Sequence, residues 1–357
     1  MNLQNLPPLS ESTLQGKMIA ISGRLTMLQL EKFEKYLIEE FYDDYRSGEM
    51  SHKTFTRRVA FIMGSMTATA AAMTLVGCTP DEVPGATDPM PAPASTSAEK
   101  VDTSTAATSE AATSSVPNAK SPLSVPEGTS GLTAAMVKLT SSGTEISGYL
   151  ARPEGRQRRP AVLVCHENRG LTPHIQDVAR RFAKAGYAAL ALDLLSREGG
   201  TESLDPDAVP GALTKAGAQR HVDDFKAAFD YLNGQDFVEE GRIAMIGFCF
   251  GGGITWQSAT EIPGLRATSA FYGPAPDLGK VPAIKAAVMG VYAEKDARIT
   301  GPMPQLQEAL DKTMVKHQLR VYPGVDHAFH NDTSERYVEA QATAAWNDTL
   351  AWFKDNI

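Results

Sequence analysis

The amino-acid sequence predicts an α/β fold in which a mostly parallel, doubly wound sheet carries helices on both faces. Over residues 132–357, apolar segments of strand length alternate with segments of helical periodicity. The run Pro160–Cys165 is apolar throughout, which is typical of a parallel strand buried on both faces. The run Ile243–Gly253 ends in a glycine-rich turn, the pattern of a strand that leads through a sharp turn into a helix. These observations favour one large domain in the second half of the chain.

The composition and the short motifs of the sequence argue against several classes of function. The chain of 357 residues has a formal net charge of −8 and no basic stripe in its second half, so we expect no nucleic-acid partner. Its three cysteines, Cys78, Cys165 and Cys249, form no C-x-x-C pair, which argues against a zinc site or a disulfide framework. The sequence also lacks the glycine patterns of nucleotide-binding loops. We expect no metal, no cofactor and a monomeric protein.

Residues 1–50 form an acidic N-terminal extension. Apolar residues recur in it at roughly helical spacing, which predicts one short amphipathic helix. These residues are Leu28, Leu30, Phe33, Leu37 and Phe41. The pattern assigns no function to this extension.

Residues 51–78 have the layout of an export signal. The pair Arg57-Arg58 precedes Val59–Val76, an Ala/Thr/Met-rich run without charge that ends in small residues. The arginine pair indicates the twin-arginine route. The run closes on Leu75-Val76-Gly77-Cys78, which resembles a bacterial lipobox, so Cys78 is a candidate for lipidation and for a membrane anchor. We expect an exported protein of the bacterial cell envelope, periplasmic or lipid-anchored. A plain membrane anchor or a vestigial signal on a cytoplasmic protein are the alternatives.

Residues 79–131 are rich in Pro, Ala, Ser and Thr and poor in large apolar residues. Such a segment buries too little surface to fold by itself. We expect a disordered linker that holds the following domain away from a membrane.

The domain at 132–357 is predicted element by element from periodicity. Met136–Leu139 and Glu145–Ala151 alternate as a leading hairpin. The later strands are predicted at Pro160–Cys165, Tyr187–Leu192, Arg242–Gly247, Ala267–Tyr272, Ala286–Tyr292 and Gln318–Tyr322. The helices are predicted at Pro173–Ala185, Val209–Leu232, Pro302–Met314 and Ser334–Asp355.

Cys249 is the candidate nucleophile. It lies in Gly-Phe-Cys-Phe-Gly-Gly-Gly, which has the spacing of the G-x-S-x-G nucleophile elbow with cysteine in place of serine. A nucleophile on so tight a turn has a strained backbone, and residues two positions away need to be small. Gly247 and Gly251 satisfy this requirement.

A nucleophilic cysteine needs a base and a group that orients the base. In the α/β-hydrolase arrangement, an acid and then a histidine follow the nucleophile, each in a loop after a later strand. Asp296 and His327 have these positions. Glu294 is an alternative acid, although Asp296 lies further into its loop, and His330 is an alternative base.

Four motifs together resemble the dienelactone hydrolase family, and the resemblance covers residues 132–357. They are Gly-Phe-Cys-Phe-Gly-Gly, Tyr-Ala-Glu-Lys-Asp, Asp-His-Ala-Phe and His166-Glu167-Asn168-Arg169-Gly170. Residues 41–58 also look like the N-terminal segment of a long-form subgroup of this family. The resemblance implies an α/β-hydrolase fold.

The resemblance also implies chemical roles. Cys249 attacks an ester or lactone carbonyl, and His327, oriented by Asp296, serves as general base and acid. Glu167 takes part in activating the thiol. The backbone N–H groups of Phe250 and Asn168 bind the oxyanion.

The chain departs from the best-known members of the family where arginines bind the carboxylate of the substrate. Asn331 stands four residues after His327, at the position of one such arginine. Candidates for another anion contact are Arg169, Arg197 and Arg220, and His330, Asn331 and Asp332 are candidates for lining a different substrate pocket. We expect a small ester or lactone as the substrate, with a thioesterase or other acyl hydrolase, or a non-catalytic binding lipoprotein, as alternatives. A disulfide between Cys165 and Cys249 is a further hypothesis.

Overall fold

The computed structural model describes residues 18–21, 24–27, 30–85, 87–92 and 116–357. The chain divides into two compact units, Met1–Ala92 and Pro93–Ile357. Most of the predicted linker, residues 93–115, lies outside the described residues.

The first unit combines a small antiparallel pair of strands with three helices. The strands are β1 (Met18–Ile21) and β2 (Arg24–Met27). The helices are α1 (Lys32–Arg46), α2 (His52–Met63) and α3 (Met66–Val76). The predicted amphipathic segment overlaps α1, which begins four residues after Leu28.

The predicted export segment forms α2 and α3, which are bent relative to each other by 115°. Gly64 ends α2 in the left-handed conformation, and the hydroxyl of Ser65 accepts the N–H of Ala68 to cap α3. Among the described residues, no single helix has the length and apolar composition to cross a membrane, whereas this bent pair together meets both criteria.

The second unit is built on an eight-stranded sheet. Its order is β10-β9-β8-β7-β5-β6-β4-β3, with β3, β4 and β6 paired antiparallel and the other neighbours paired parallel. The strands are β3 (Leu132–Ser141), β4 (Thr144–Pro153), β5 (Arg159–Cys165), β6 (Ala188–Leu192), β7 (Val238–Phe248), β8 (Ala267–Phe271), β9 (Ala287–Ala293) and β10 (His317–Tyr322). The expected mostly parallel sheet is confirmed.

Helices cover both faces of this sheet. They are α4 (Pro173–Lys184), α5 (Val209–Ala216), α6 (Ala218–Asn233), α7 (Phe250–Glu261), α8 (Ala297–Thr300), α9 (Met303–Asp311) and α10 (Glu339–Asn356). Phe182 of α4 packs against Trp346 and Phe353 of α10, with ring centroids 4.5 and 6.0 Å apart, so these two helices share a face. The central strands β6, β8 and β9 are wholly buried, and β5 is buried from Ala161 to Cys165, as its apolar pattern predicts.

Two helix boundaries differ from the predictions. The segment Val209–Leu232, expected to be mostly helical, forms two helices that are separated at Gly217, whose φ of 78° and ψ of 141° are not helical. The closing helix begins at Glu339, five residues later than predicted. In both places the apolar spacing continues through a segment whose backbone leaves the helix, and periodicity alone does not register this change.

Residues 116–131 were predicted to be part of a disordered linker, but within the second unit they pack against α4. The N–H of Val125 donates to Asp177 Oδ1 at 2.6 Å, and Arg180 Nε donates to the Val125 carbonyl at 2.6 Å. Asp177 and Arg180 are both buried. Hydrogen bonds to buried charged groups therefore fix a segment whose own composition provides little apolar surface.

Candidate active site

Cys249 occupies the sharp turn between β7 and α7. Its backbone has a φ of 57° and a ψ of −120°, a strained conformation for a residue with a Cβ. Its N–H donates to the Phe271 carbonyl of the neighbouring strand β8 at 3.0 Å. The side chain is 3% exposed. The turn has the strained strand–turn–helix geometry that the glycine spacing predicts.

The glycines around Cys249 are required by close backbone contacts. A Cβ on Gly247 would lie 2.1 Å from the Gly251 carbonyl oxygen, and one on Gly251 would lie 2.3 Å from that of His166. A Cβ on Gly252 would lie 2.4 Å from the Phe271 oxygen. All three distances are below the contact limit of any real Cβ. The first turn of α7 therefore lies directly against the carboxyl ends of β5 and β8.

Asp296 and His327 meet at the carboxyl ends of β9 and β10. Asp296 Oδ2 accepts a hydrogen bond from His327 Nδ1 at 2.6 Å, and both side chains are buried. A ring nitrogen of His327 and Cys249 Sγ lie within 4.8 Å of each other. The structure thus brings a thiol, an imidazole and a carboxylate together in the order that nucleophilic catalysis requires.

The electrostatics of Asp296 favour its charged form. Burial by itself raises the pKa of this carboxyl, but the adjacent His327 ring and then Arg298, 3.9 Å from Asp296 Oδ1, outweigh it, so the pKa lies below the usual value. Asp296 is therefore a carboxylate that accepts the hydrogen bond of His327 Nδ1.

Tyr272 is a site residue that the sequence interpretation missed. It follows β8, and its ring packs edge-on against that of His327, with centroids 4.9 Å apart. Its φ of 36° is unusual for a tyrosine, and its N–H donates to the Val291 carbonyl at 2.7 Å. An aromatic residue just past a strand end, directly before Gly273, was the available signal.

Glu167 lies in the loop after β5 and is 6% exposed. Its Oε2 accepts a hydrogen bond from Asn331 Nδ2 at 2.7 Å. The Oδ1 atom of Asn331 accepts from the N–H of Thr333 at 3.0 Å and from its hydroxyl at 2.7 Å, which fixes the orientation of the amide. Asn331, expected as a possible substrate contact, is therefore bound to the auxiliary carboxylate.

His166 stabilises the loop that carries Glu167. Its Nδ1 donates to the Glu167 carbonyl at 2.6 Å, and its Nε2 accepts from the Leu194 N–H at 3.3 Å. Burial lowers the pKa of this imidazole, which is consistent with a neutral ring that donates at one nitrogen and accepts at the other.

The two predicted oxyanion donors lie on the elements that meet at Gly251. Phe250 is the first residue of α7, and Asn168 is buried after β5. The N-terminal end of a helix favours negative charge. Phe250 therefore lies where a negative charge that develops beside Cys249 would be stabilised.

The structure does not support a substrate contact or a base role for His330. The residue is 1% exposed, and its ring stacks on Phe248 and lies edge-on to Phe271, with centroids 5.2 Å away in both cases. Burial and then the nearby charge of Arg181 hold the pKa of His330 well below its usual value. His330 is a neutral core histidine because its turn points it into the aromatic core.

The candidate arginines also differ in their surroundings. Arg197 pairs with Asp224 at 2.7 Å and donates to the Ser141 carbonyl, and Arg220 pairs with Glu198 at 2.7 Å. Both guanidinium groups are thereby neutralised by structural carboxylates, which argues against the predicted anion contact at Arg197. Arg169 is exposed beside the Glu167 loop and stays a candidate.

No disulfide joins Cys165 and Cys249 in this structure, and both are thiols. Cys165 pairs in register with Gly247 across β5 and β7 and is completely buried. Burial, followed by the charge of nearby Cys249, raises the pKa of the Cys165 thiol, which makes it a poor nucleophile.

Comparison with known proteins agrees with this geometry. Residues 146–357 match the model of the "Dienelactone hydrolase family". The chain belongs to the dienelactone hydrolase family. It is a dienelactone hydrolase-like hydrolase with the α/β-hydrolase fold, as the four sequence motifs predict.

Several relatives of this family member have names or solved structures. Proteins named "Putative carboxymethylenebutenolidase" from Saccharolobus solfataricus and Methylorubrum extorquens are 33% and 32% identical to it, covering 60% and 63% of this chain and 95% and 81% of theirs. The crystal structure titled "Putative Dienelactone Hydrolase" from Klebsiella pneumoniae is 30% identical, covers 62% of this chain and 98% of its own, and has a TM-score of 0.59.

Proposed function

We propose that the protein hydrolyses small, uncharged carboxylic esters or lactones through a Cys249–His327–Asp296 triad. The observation that carries the proposal is the 2.6 Å hydrogen bond between Asp296 and His327, with Cys249 Sγ within 4.8 Å of the same ring. The names of relatives as carboxymethylenebutenolidases support a lactone or ester as the substrate class.

The geometry supports an acyl-transfer mechanism in two halves. Cys249 Sγ attacks the carbonyl carbon while His327 Nε2 accepts the thiol proton, and the carbonyl oxygen gains the electron pair. The N–H groups of Phe250 and Asn168 stabilise this oxyanion. When the tetrahedral intermediate collapses, His327 returns the proton to the leaving alkoxide and an acyl thioester forms. Water, deprotonated by His327, then releases the acid and the free thiol.

Asn331 supports the choice of an uncharged substrate. Its amide is neutral, and its donor is already bound to Glu167. A substrate carboxylate brought to this position would meet the Glu167 carboxyl group that accepts the Asn331 amide, which is electrostatically unfavourable. Arg197, one of the candidate cations, is already paired with Asp224.

The triad is tested on the purified full-length chain with p-nitrophenyl acetate, a neutral lactone, an acyl thioester and a lactone that carries a carboxylate. We expect turnover of the neutral substrates, loss of turnover in Cys249→Ala and His327→Ala, and wild-type rates in the control His317→Ala, whose imidazole contacts Asp311 away from the triad. Preference for the thioester would favour the acyl-thioesterase alternative. No turnover of any substrate, with Cys249 unreactive to iodoacetamide, would favour a binding protein.

We also propose that residues 51–78 direct export and that Cys78 is lipidated. The arginine pair, the uncharged run and the lipobox-like ending support this localisation. In the folded first unit, Cys78 is buried and its N–H donates to Met73, so lipidation would require this segment to leave that fold. Labelling of cells with a palmitate analogue should mark the wild-type chain and not Cys78→Ala. Equal labelling of both would reject the anchor.

A further inference from the structure

We propose that residues 116–125, which we call the strap, act with Asp332 to position Asn331 and, through it, Glu167 at the thiol. The inference rests on the proposed function of Cys249 and on the role in thiol activation that the family resemblance implies for Glu167. The strap lies upstream of residue 146, where the match to the family model begins.

Asp332 is held from several sides in the core. The N–H of Lys120 donates to its carbonyl at 3.0 Å, and the N–H of Ser121 donates to Oδ2 at 3.2 Å. Arg181 reaches the same Oδ2 at 2.7 Å, and His174 Nδ1 lies 2.9 Å from Oδ1. Asp332 is completely buried, so these contacts replace the water that its carboxylate loses.

The other end of the strap is fixed on the same charged cluster. Val125 donates its N–H to Asp177 Oδ1 at 2.6 Å and accepts Arg180 Nε at 2.6 Å. Arg181 bridges Asp177 and Asp332, with distances of 2.5 and 2.7 Å. The strap, α4 and the turn at Asp332 are therefore joined through one buried network.

The network continues into the site through a single peptide unit. Asp332 directly follows Asn331, whose Nδ2 donates to Glu167. The N–H of Asn331 donates to the Ala328 carbonyl at 3.0 Å, and Ala328 directly follows His327. A shift of Asp332 would consequently move the amide that holds Glu167 within the turn that also carries the general base.

A purely structural role for the strap predicts a different result. Removing one partner from a buried ion cluster costs stability whether or not the cluster positions the site. Positioning adds an energetic coupling between the strap and Asn331, and such coupling is measured by combining variants in a double-mutant cycle.

The experiment uses the full chain and follows alkylation of Cys249 by iodoacetamide as a function of pH, with mass spectrometry to identify the modified thiol. The variants are Asn331→Ala, Asp332→Asn, Ser121→Pro and the double variants with Asn331→Ala. Ser121→Pro removes the N–H that reaches Asp332, together with the hydroxyl that accepts the Leu123 N–H within the strap. Lys120→Ala is the matched control, because it removes the exposed contact with Glu335 and keeps the backbone donor to Asp332.

We expect Asn331→Ala, Asp332→Asn and Ser121→Pro to displace the alkylation profile in the same direction, with rate changes of about threefold or more at neutral pH. The double variants should show little further change, and Lys120→Ala should follow the wild type. If Asp332→Asn does not fold, Ser121→Pro decides. Lower melting temperatures with unshifted profiles, or fully additive effects, would overturn the proposal. Because alkylation needs no ester, absence of turnover would count against the proposed function alone.

Discussion

At the scale of single residues, the site depends on a carboxylate that stays charged while buried. Asp296 is 5% exposed, yet His327 and Arg298 keep its pKa below the usual value. In the proposed mechanism, its negative charge stabilises the imidazolium that forms when His327 takes the thiol proton. Asp296→Asn removes this negative charge. The amide of the variant also has an N–H donor, so it can hold the His327 ring in the wrong tautomer.

We therefore predict that Asp296→Asn lowers kcat by about 10³–10⁴-fold with little change in KM, by analogy with other triads. Steady-state kinetics with an ester that the wild-type protein hydrolyses measure this loss of kcat. Asp311→Asn, which alters the contact of the surface residue His317, is the control. A loss below tenfold would mean that another group orients His327.

His330 provides a test of core electrostatics. Its folded-state pKa is well below its usual value, so the ring stays neutral in the folded protein while it gains a proton in the unfolded chain below about pH 6.5. The stabilising effect of this difference is complete above the unfolded pKa and is lost as the pH falls toward the folded value, at about 1.4 kcal/mol per pH unit.

The free energy of unfolding of the wild type should fall as the pH is lowered from about 6.5 to 5, because the unfolded chain binds an extra proton at His330. We predict that His330→Phe reduces the slope of this fall by up to about 1.4 kcal/mol per pH unit, the value for one proton. Urea titrations at both pH values provide the comparison. His221, whose pKa burial lowers to about 4, should maintain part of the slope in the variant. Identical slopes in the two proteins would show that His330 is not held neutral.

At the scale of elements, the elbow depends on how closely α7 approaches β5. A Cβ at residue 251 would lie 2.3 Å from one backbone oxygen and 2.7 Å from another. Backbone atoms cannot yield as the end of a flexible side chain can, so either the helix or the strand end must move. Such a movement would displace Cys249, which lies between them.

Gly251→Ala should therefore destabilise the protein by about 1–3 kcal/mol or more and remove most of the esterase activity. Thermal unfolding and turnover of p-nitrophenyl acetate test both effects. The control is Gly279→Ala, where the new Cβ would meet only Asp277 Oδ1 at 3.3 Å. Wild-type stability in Gly251→Ala would contradict the packing argument.

At the scale of the whole molecule, the second unit extends further toward the N-terminus than its composition indicates. The strap contributes three backbone N–H donors to two buried aspartates. A chain cut at the predicted boundary of residue 132 would leave Asp177 and Asp332 with fewer donors in the core.

We predict that residues 132–357 are less stable than residues 116–357 by about 3–5 kcal/mol, since hydrogen bonds to charged groups are each worth about 1.5–3 kcal/mol. Chemical denaturation of the two fragments measures the difference. The fragment of residues 93–357 should have the same stability as the fragment of residues 116–357. Equal midpoints for all three would restore the boundary at residue 132.

The sequence by itself determined the strands and turns that surround the site, and the order in which Cys249, Asp296 and His327 follow one another along the chain. The apolar run of β5, the glycines around Cys249 and the positions of Asp296 and His327 after their strands are local patterns, and steric rules for strands and turns act locally. Tertiary structure decided the rest. Asn331 and Glu167 are 164 residues apart, Ser121 and Asp332 are 211 apart, and only the folded sheet brings each pair together. The burial of His330 followed from the direction of one turn, because a side chain's surroundings depend on distant segments that periodicity does not encode.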